Sequence, residues 1–142
     1  YAWRYAQSIG QTSNTPIYFA VDFDLSDRSL YLSGKTKEDV KNQIAEYFKA
    51  VQGQFAFWNN KSEYNYKIGI YGCGEICQYI KQEKKLATYS WLSMSTAWPG
   101  YNAYNKSSLY NIKQDKEVYY NKVKFDTNQS GDAGEGSWRY KK

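Results

Sequence analysis

Ile17-Tyr18-Phe19-Ala20-Val21-Asp22-Phe23-Asp24, entered from Pro16, is the stretch on which the reading of the fold turns. It is nearly all apolar, and an unbroken apolar run of this length suits a strand buried on both faces, as in a parallel sheet. Alternation puts Tyr18, Ala20, Asp22 and Asp24 on one face and Phe19, Val21 and Phe23 on the other. Two carboxylates therefore reach the C-terminal end of the strand, where parallel α/β folds gather their chemistry.

The flanking segments supply the partners of this strand. Residues 1–9 read as the end of a helix stopped by Gly10, and 11–16 as a polar turn. Leu25 to Lys35 reads as a polar loop. Thr36-Lys-Glu-Asp39 is a capping box ahead of Val40, Ile44, Tyr47, Phe48 and Val51 at helical spacing, and Gly53 is the expected stop. Tyr66–Tyr71 is a second strand, followed by a short helix from Glu75 to about Lys85 with Ile76, Tyr79 and Ile80 facing inward. Thr88–Met94 is a third strand, and Leu109–Gln114 and Val123–Asp126 are weaker ones. Residues 129–142 form a polar, Gly-rich tail with Trp138 as its anchor. Strands alternating with helices imply βαβ units and a parallel sheet in one domain over 1–142.

Composition narrows the chemistry. At 142 residues the chain can bury a core, yet it is shorter than the roughly 200 residues of a full eight-stranded barrel. Sixteen Tyr and five Trp provide flat rings with a polar edge, suited to sugars, bases or protein surfaces. A net charge of +5 favours anionic surroundings, but the lysines are scattered and form no nucleic-acid stripe. The chain has no His, which removes Ser-His-Asp and Cys-His nucleophile systems and His-ligated zinc. Cys73 and Cys77 alone make a poor metal site; the expectation is a buried Cys77 and a half-exposed Cys73, with a bridge between them left open. No metal or cofactor is expected. No segment reads as a signal peptide or membrane span. The start at Tyr1 rather than Met reads as a processed, truncated or excised chain.

Asp22 and Asp24 are the candidate catalytic pair. Residues two apart in a strand lie about 6.5–7 Å apart along the backbone, within the spacings used by two carboxylates in glycoside hydrolysis. Crowding at an apolar mouth raises one pKa and leaves the other group an anion, which sets up an acid and a base. The plainer alternative is that Asp24-Leu-Ser-Asp27 only caps a turn.

Pro16-Ile-Tyr-Phe-Ala-Val-Asp-Phe-Asp24, Tyr66-Lys-Ile-Gly-Ile-Tyr-Gly72 and Tyr89-Ser-Trp-Leu-Ser93 occur in that order. In this order they resemble the glycoside-hydrolase-like domain of unknown function related to the family 25 lysozymes. Ile112-Lys-Gln114 and Phe125-Asp-Thr-Asn128 match its last two strands more loosely. The resemblance implies the C-terminal part, about five strands, of a TIM-type (β/α) barrel. Residues 17–24 would be its fourth strand, and the N-terminal strands would lie outside this chain, supplied by a missing segment or a second chain. It implies that Asp22 matches the Asp of the lysozymes' Asp-x-Glu and that Asp24 stands in for the acid Glu, one methylene shorter. By strand parity and resemblance, Tyr18, Tyr71, Trp91, Gln114 and Asp126 line the same mouth as substrate-binding residues, and the space over Gly69 is left for ligand.

The function so implied is a secreted or wall-associated glycosidase of lysozyme type acting on a cell-wall glycan such as peptidoglycan. A noncatalytic carbohydrate-binding or wall-targeting domain is the alternative. A third reading comes from Asp22-Phe-Asp24-Leu-Ser26, which also resembles the start of the haloacid-dehalogenase-like, Mg-dependent phosphotransferases. No later acidic pair follows at a strand end to complete a metal site.

Overall fold

The computed structural model describes residues 1–131 together with Gly134 and Gly136. Trp138 lies outside the described residues. Five strands form one sheet in the order β1-β2-β3-β4-β5: β1 Pro16–Ala20, β2 Lys67–Gly72, β3 Tyr89–Leu92, β4 Ile112–Tyr120 and β5 Val123–Ser130. The first four run parallel, and β5 returns antiparallel to β4. The result is a mixed α/β fold with a curled, half-barrel sheet. Its helices are α1 Ala2–Ser8, α2 Asp27–Ser33, α3 Lys37–Lys61, α4 Gly74–Cys77, which runs on as a π-helix over Gln78–Glu83, and α5 Tyr101–Lys106.

The register sorts every strand residue onto one of two faces. Ile17, Phe19, Ile68, Ile70, Ser90 and Leu92 point outward to the helices; Tyr18, Ala20, Tyr71 and Trp91 point into the concavity. The outer face is covered over β2 and β3, and half-exposed at Ile17 and Phe19 of β1. Phe48 of α3, Ile70, Ile76 of α4, Ile80 of the π-helix and Leu92 are all 0% exposed, each such burial contributing about 1.5–3 kcal/mol. Phe19 meets Phe48 and Phe55 of α3 edge-on, with ring centroids 6.3 and 5.8 Å apart.

Several boundaries differ from the sequence reading. The first strand stops at Ala20, not Asp24, although the Val21 amide still donates to the Tyr71 carbonyl at 2.8 Å. Helix α3 begins at the expected capping box, where Thr36 Oγ1 accepts from the Asp39 amide and the Asp39 carboxylate accepts from the Thr36 amide. It then runs through Gly53 to Lys61. Tertiary contacts hold that last stretch. Phe55 is buried, and Asn59 accepts from Trp3 Nε1 at 2.7 Å and from the Tyr66 amide at 3.1 Å while donating to the Tyr66 carbonyl. Asn59 thereby ties α1 and α3 to Tyr66, the residue that leads into β2. The loop expected over 25–35 contains α2, with Ser26 as N-cap and Gly34 left-handed at its end; only Leu30 of it is buried, too little for a visible stripe. The Gly-rich tail was expected from Gln129, but Gln129 and Ser130 pair within β5. Cys73 and Cys77 are both buried and unbridged, and burial pushes both thiols up.

Two close seams position the C-terminal rim. The Asn111 side chain accepts from the Ser90 amide at 2.9 Å and from Lys81 Nζ at 2.7 Å, and donates to the Gly134 carbonyl. It stitches β3, the π-helix and the chain after β5. Gly74 packs against Gly100, so that a Cβ at Gly74 would lie 2.2 Å from the Gly100 carbonyl oxygen. Both partners there are backbone and cannot yield. Gly74→Ala should therefore lower stability by roughly 1–3 kcal/mol. Gly53→Ala, which meets nothing within 4 Å inside α3, should raise it by up to about 1 kcal/mol. Urea unfolding midpoints of the two variants should move in opposite directions.

Candidate functional site

The concave face carries the side chains of the other strand parity. Register sets them in rows. Tyr18, Gly69 and Tyr89 stand side by side, and one step further along the strands come Ala20, Tyr71, Trp91 and Ile112. A Cβ on Gly69 would lie 2.4 Å from Cδ1 of Tyr18. The space over Gly69, expected to be left for ligand, is thus filled by the Tyr18 ring. That ring meets Trp91 edge-on at 5.7 Å and 81°, and Tyr71 meets Trp91 from another side at 5.3 Å and 77°. Three rings from three adjacent strands form one aromatic cluster centred on the indole.

The hairpin of β4 and β5 clamps this cluster. Trp91 Nε1 donates to Asn128 Oδ1 at 2.9 Å. The Tyr71 hydroxyl donates to Gln114 Oε1 at 3.0 Å, and the same oxygen accepts from the Met94 amide at 3.3 Å. Gln114 is buried. These groups enclose an open hollow of ≈ 450 Å³ lined by Tyr18, Ala20, Tyr71, Trp91, Gln114, Asp126 and Asn128. All five residues read from the sequence as substrate-binding meet there. Ala20 and Asn128 complete the lining; Asn128 was legible as the residue two after Asp126 on the same strand face.

The carboxylates divide. Asp22 is exposed just beyond the end of β1. It stands close enough to Tyr71 for its charge, with that of Asp126, to add to the burial that pushes the Tyr71 hydroxyl pKa up. Tyr71 thus stays protonated and donates to Gln114 through the neutral range. Asp24 is turned into local structure. Its carboxylate accepts from the Ser26 amide at 2.8 Å, the Ser26 hydroxyl at 2.7 Å and the Ser29 hydroxyl at 3.1 Å, which builds the entry to α2. Burial pushes its pKa up, but the bonds from Ser26 and Ser29 outweigh this, and the group sits below its ordinary 3.8. A carboxyl so held is an anion and an acceptor at neutral pH. Among the described residues no cluster of three Asp, Glu, Cys or His side chains is placed to hold a metal ion.

The model of the Rv2525c-like, glycoside hydrolase-like domain matches residues 1–133. The chain belongs to that family. It is similar to the uncharacterized protein YbfG of Bacillus subtilis (strain 168), at 35% identity over 97 residues, covering 67% of this chain and 12% of that protein. It is also similar to the uncharacterized protein FadG of the same organism, at 33% identity over 100 residues, covering 70% of this chain and 15% of that protein. The chain thus matches only a small part of the length of these relatives. No solved structure matches it. Within this glycoside hydrolase-like domain, the hollow of the concave face gathers side chains from all five strands.

The bonding of Asp24 has a pH signature. Its folded pKa is depressed, so its stabilising contribution is complete above the ordinary value of 3.8 and is lost as pH falls through the lower folded value. Asp24→Asn should lower the urea midpoint near neutral pH. That gap from the wild type should narrow as pH falls below 3.8 and through the lower folded value, where the Asp24 carboxylate becomes protonated.

Proposed function

We propose that the concave face binds a cell-wall glycan such as peptidoglycan, with Trp91 as the stacking platform and Tyr18, Tyr71, Gln114, Asp126 and Asn128 around it. The observation that carries this reading is the pinned indole. Trp91 is half-buried, its N–H is committed to Asn128, and Tyr18 and Tyr71 hold the ring in place. A rigid aromatic surface ringed by amide and carboxylate groups suits the alternating C–H and hydroxyl surface of a sugar. Membership in a glycoside hydrolase-like family agrees with it. The net charge of +5 suits an anionic wall polymer, and a secreted or wall-associated location follows from that substrate. Among the described residues no helix is long and apolar enough to cross a membrane.

The binding reading is favoured over hydrolysis by an Asp22–Asp24 pair. In the lysozyme-like mechanism Asp24 would have to give a proton, whereas its carboxylate is depressed in pKa and engaged by Ser26 and Ser29. The same engagement weakens the phosphotransferase reading, which needs Asp24 free to serve a metal and phosphate. Hydrolysis retains one supporting observation: Asp126 lines the hollow, and Asp22, outside its lining, is near enough for its charge to act with that of Asp126 on Tyr71. Among the described residues β1 is the terminal strand, at one edge of the sheet. Beside it lies an apolar groove between α1, Phe19 and α3. A further parallel strand on that edge, from a preceding segment or a second chain, would extend the half barrel.

Sedimentation with insoluble peptidoglycan tests the binding. The wild type should be retained, and Trp91→Ala should weaken retention roughly tenfold, about the value of a good aromatic contact. Asp22→Asn should still bind, and the wild type should release no reducing ends. Release that Asp22→Asn abolishes would establish hydrolysis instead. A wild type that stays in the supernatant would end the glycan reading.

A further inference from the structure

The β4–β5 hairpin is longer than the sheet needs. Only Ile112 and Lys113 of β4 pair with β3, so the residues from Gln114 to Tyr120 run on past its end. At 3.4 Å per residue this is a projection of about 20 Å. Because β4 is parallel to β3, the ribbon rises from the C-terminal rim, beside the hollow.

Its two faces differ. Cross-strand pairs share a face, and after the irregularity between Gln114 and Glu117 the pairs are Glu117 with Asp126, Val118 with Phe125, Tyr119 with Lys124 and Tyr120 with Val123. Asp126 and Asn128 line the hollow, so Glu117, Tyr119 and Lys124 continue the mouth-side face outward. The ion pair of Glu117 with Lys124 at 2.5 Å runs diagonally between neighbouring pairs and requires both on that face. Tyr119 stands beyond them, 72% exposed. The other face carries Val118, Tyr120, Val123 and Phe125, and has no such continuity with the hollow.

We propose that the mouth-side face of the ribbon is an outer subsite for further sugar units of the chain held in the hollow. Tyr119 is its platform, and Glu117 and Lys124 are its hydrogen-bonding edge. This rests on the glycan reading above and adds the length of the ligand. From Asn128 to Lys124 is four residues, roughly 14 Å. A single sugar against Trp91 falls short of Tyr119, and a chain of several sugars reaches it. The row from Asn128 through Asp126 to Lys124 and Tyr119 is continuous, so one strand of polymer can lie along it without a gap. The domain would thus recognise a polymer, not its repeating unit.

The experiment compares affinities, by calorimetry, for the N-acetylglucosamine–N-acetylmuramic acid disaccharide and for purified strands of six or more sugars of the same polymer. The wild type should bind the strands more tightly. Tyr119→Ala should lose roughly three- to tenfold on the strands and nothing on the disaccharide. Phe125→Ala, equally at the surface on the opposite face, should change neither. Equal affinity of the wild type for both lengths overturns the outer subsite and leaves the glycan reading intact. So does a Tyr119→Ala loss that is absent, or that falls alike on both lengths or is matched by Phe125→Ala. Binding of neither ligand by the wild type overturns the glycan reading and the subsite together.

Discussion

Burial of one side of a parallel sheet is the constraint from which the remaining features follow. Phe19, Ile70 and Leu92 alternate with Tyr18, Tyr71 and Trp91 along the strands. Once α3, α4 and the π-helix have closed over the first set, the second set has no choice of direction. The aromatic cluster owes its position to that alternation: a one-residue slip in any strand would carry its rings into the helix layer. Covering the outer face with Phe48, Ile76 and Ile80 thus sets the register of the inner face as well.

The inner face is then held by a small number of directional bonds. Gln114 and Asn128, both on the hairpin, reach the two rings that β2 and β3 present, Tyr71 and Trp91. The antiparallel return of β5 is needed for this, because it brings Asn128 beside Gln114. Asp24 shows the opposite use of a polar side chain. Its bonds to Ser26 and Ser29 stay within one turn and organise the entry to α2. Two acids of one short stretch, Asp22 and Asp24, therefore meet different fates: Asp22 stays exposed past the end of β1, and Asp24 serves the backbone beside it.

Much of this was legible in the sequence. The apolar run from Ile17 announced a parallel strand, but β1 lies at the end of the sheet with Ile17 to Phe19 half-exposed and Ala20 exposed instead of buried on both faces; the capping box at Thr36 located the start of α3. Strand parity together with the family resemblance nominated Tyr18, Tyr71, Trp91, Gln114 and Asp126, which one hollow unites. The errors arose where a distant partner decides. Gly53 looks like a stop, but Phe55 and Asn59 find partners in Phe19 of β1, Trp3 of α1 and Tyr66 just before β2, which carry the helix on to Lys61. Val21 to Asp24 look like strand because they alternate, yet the Asp24 carboxylate finds nearer donors in Ser26 and Ser29. Gly69 looked like room for a ligand; only the neighbouring strand reveals that Tyr18 occupies it. The hairpin's length was underestimated because residues 115–127 lack an apolar stripe.

The ribbon is fastened unevenly. Its base is tied by Gln114 and Asn128, whereas Tyr119 and Tyr120 near its turn are 72% and 71% exposed, and the ladder changes step between Gln114 and Glu117. Mechanically this is a cantilever with its pivot at the bulge. With an arm of about 10 Å from the bulge to the turn, a tilt of about 10° sweeps the turn through about 2 Å, while the clamped rings at the root stay still.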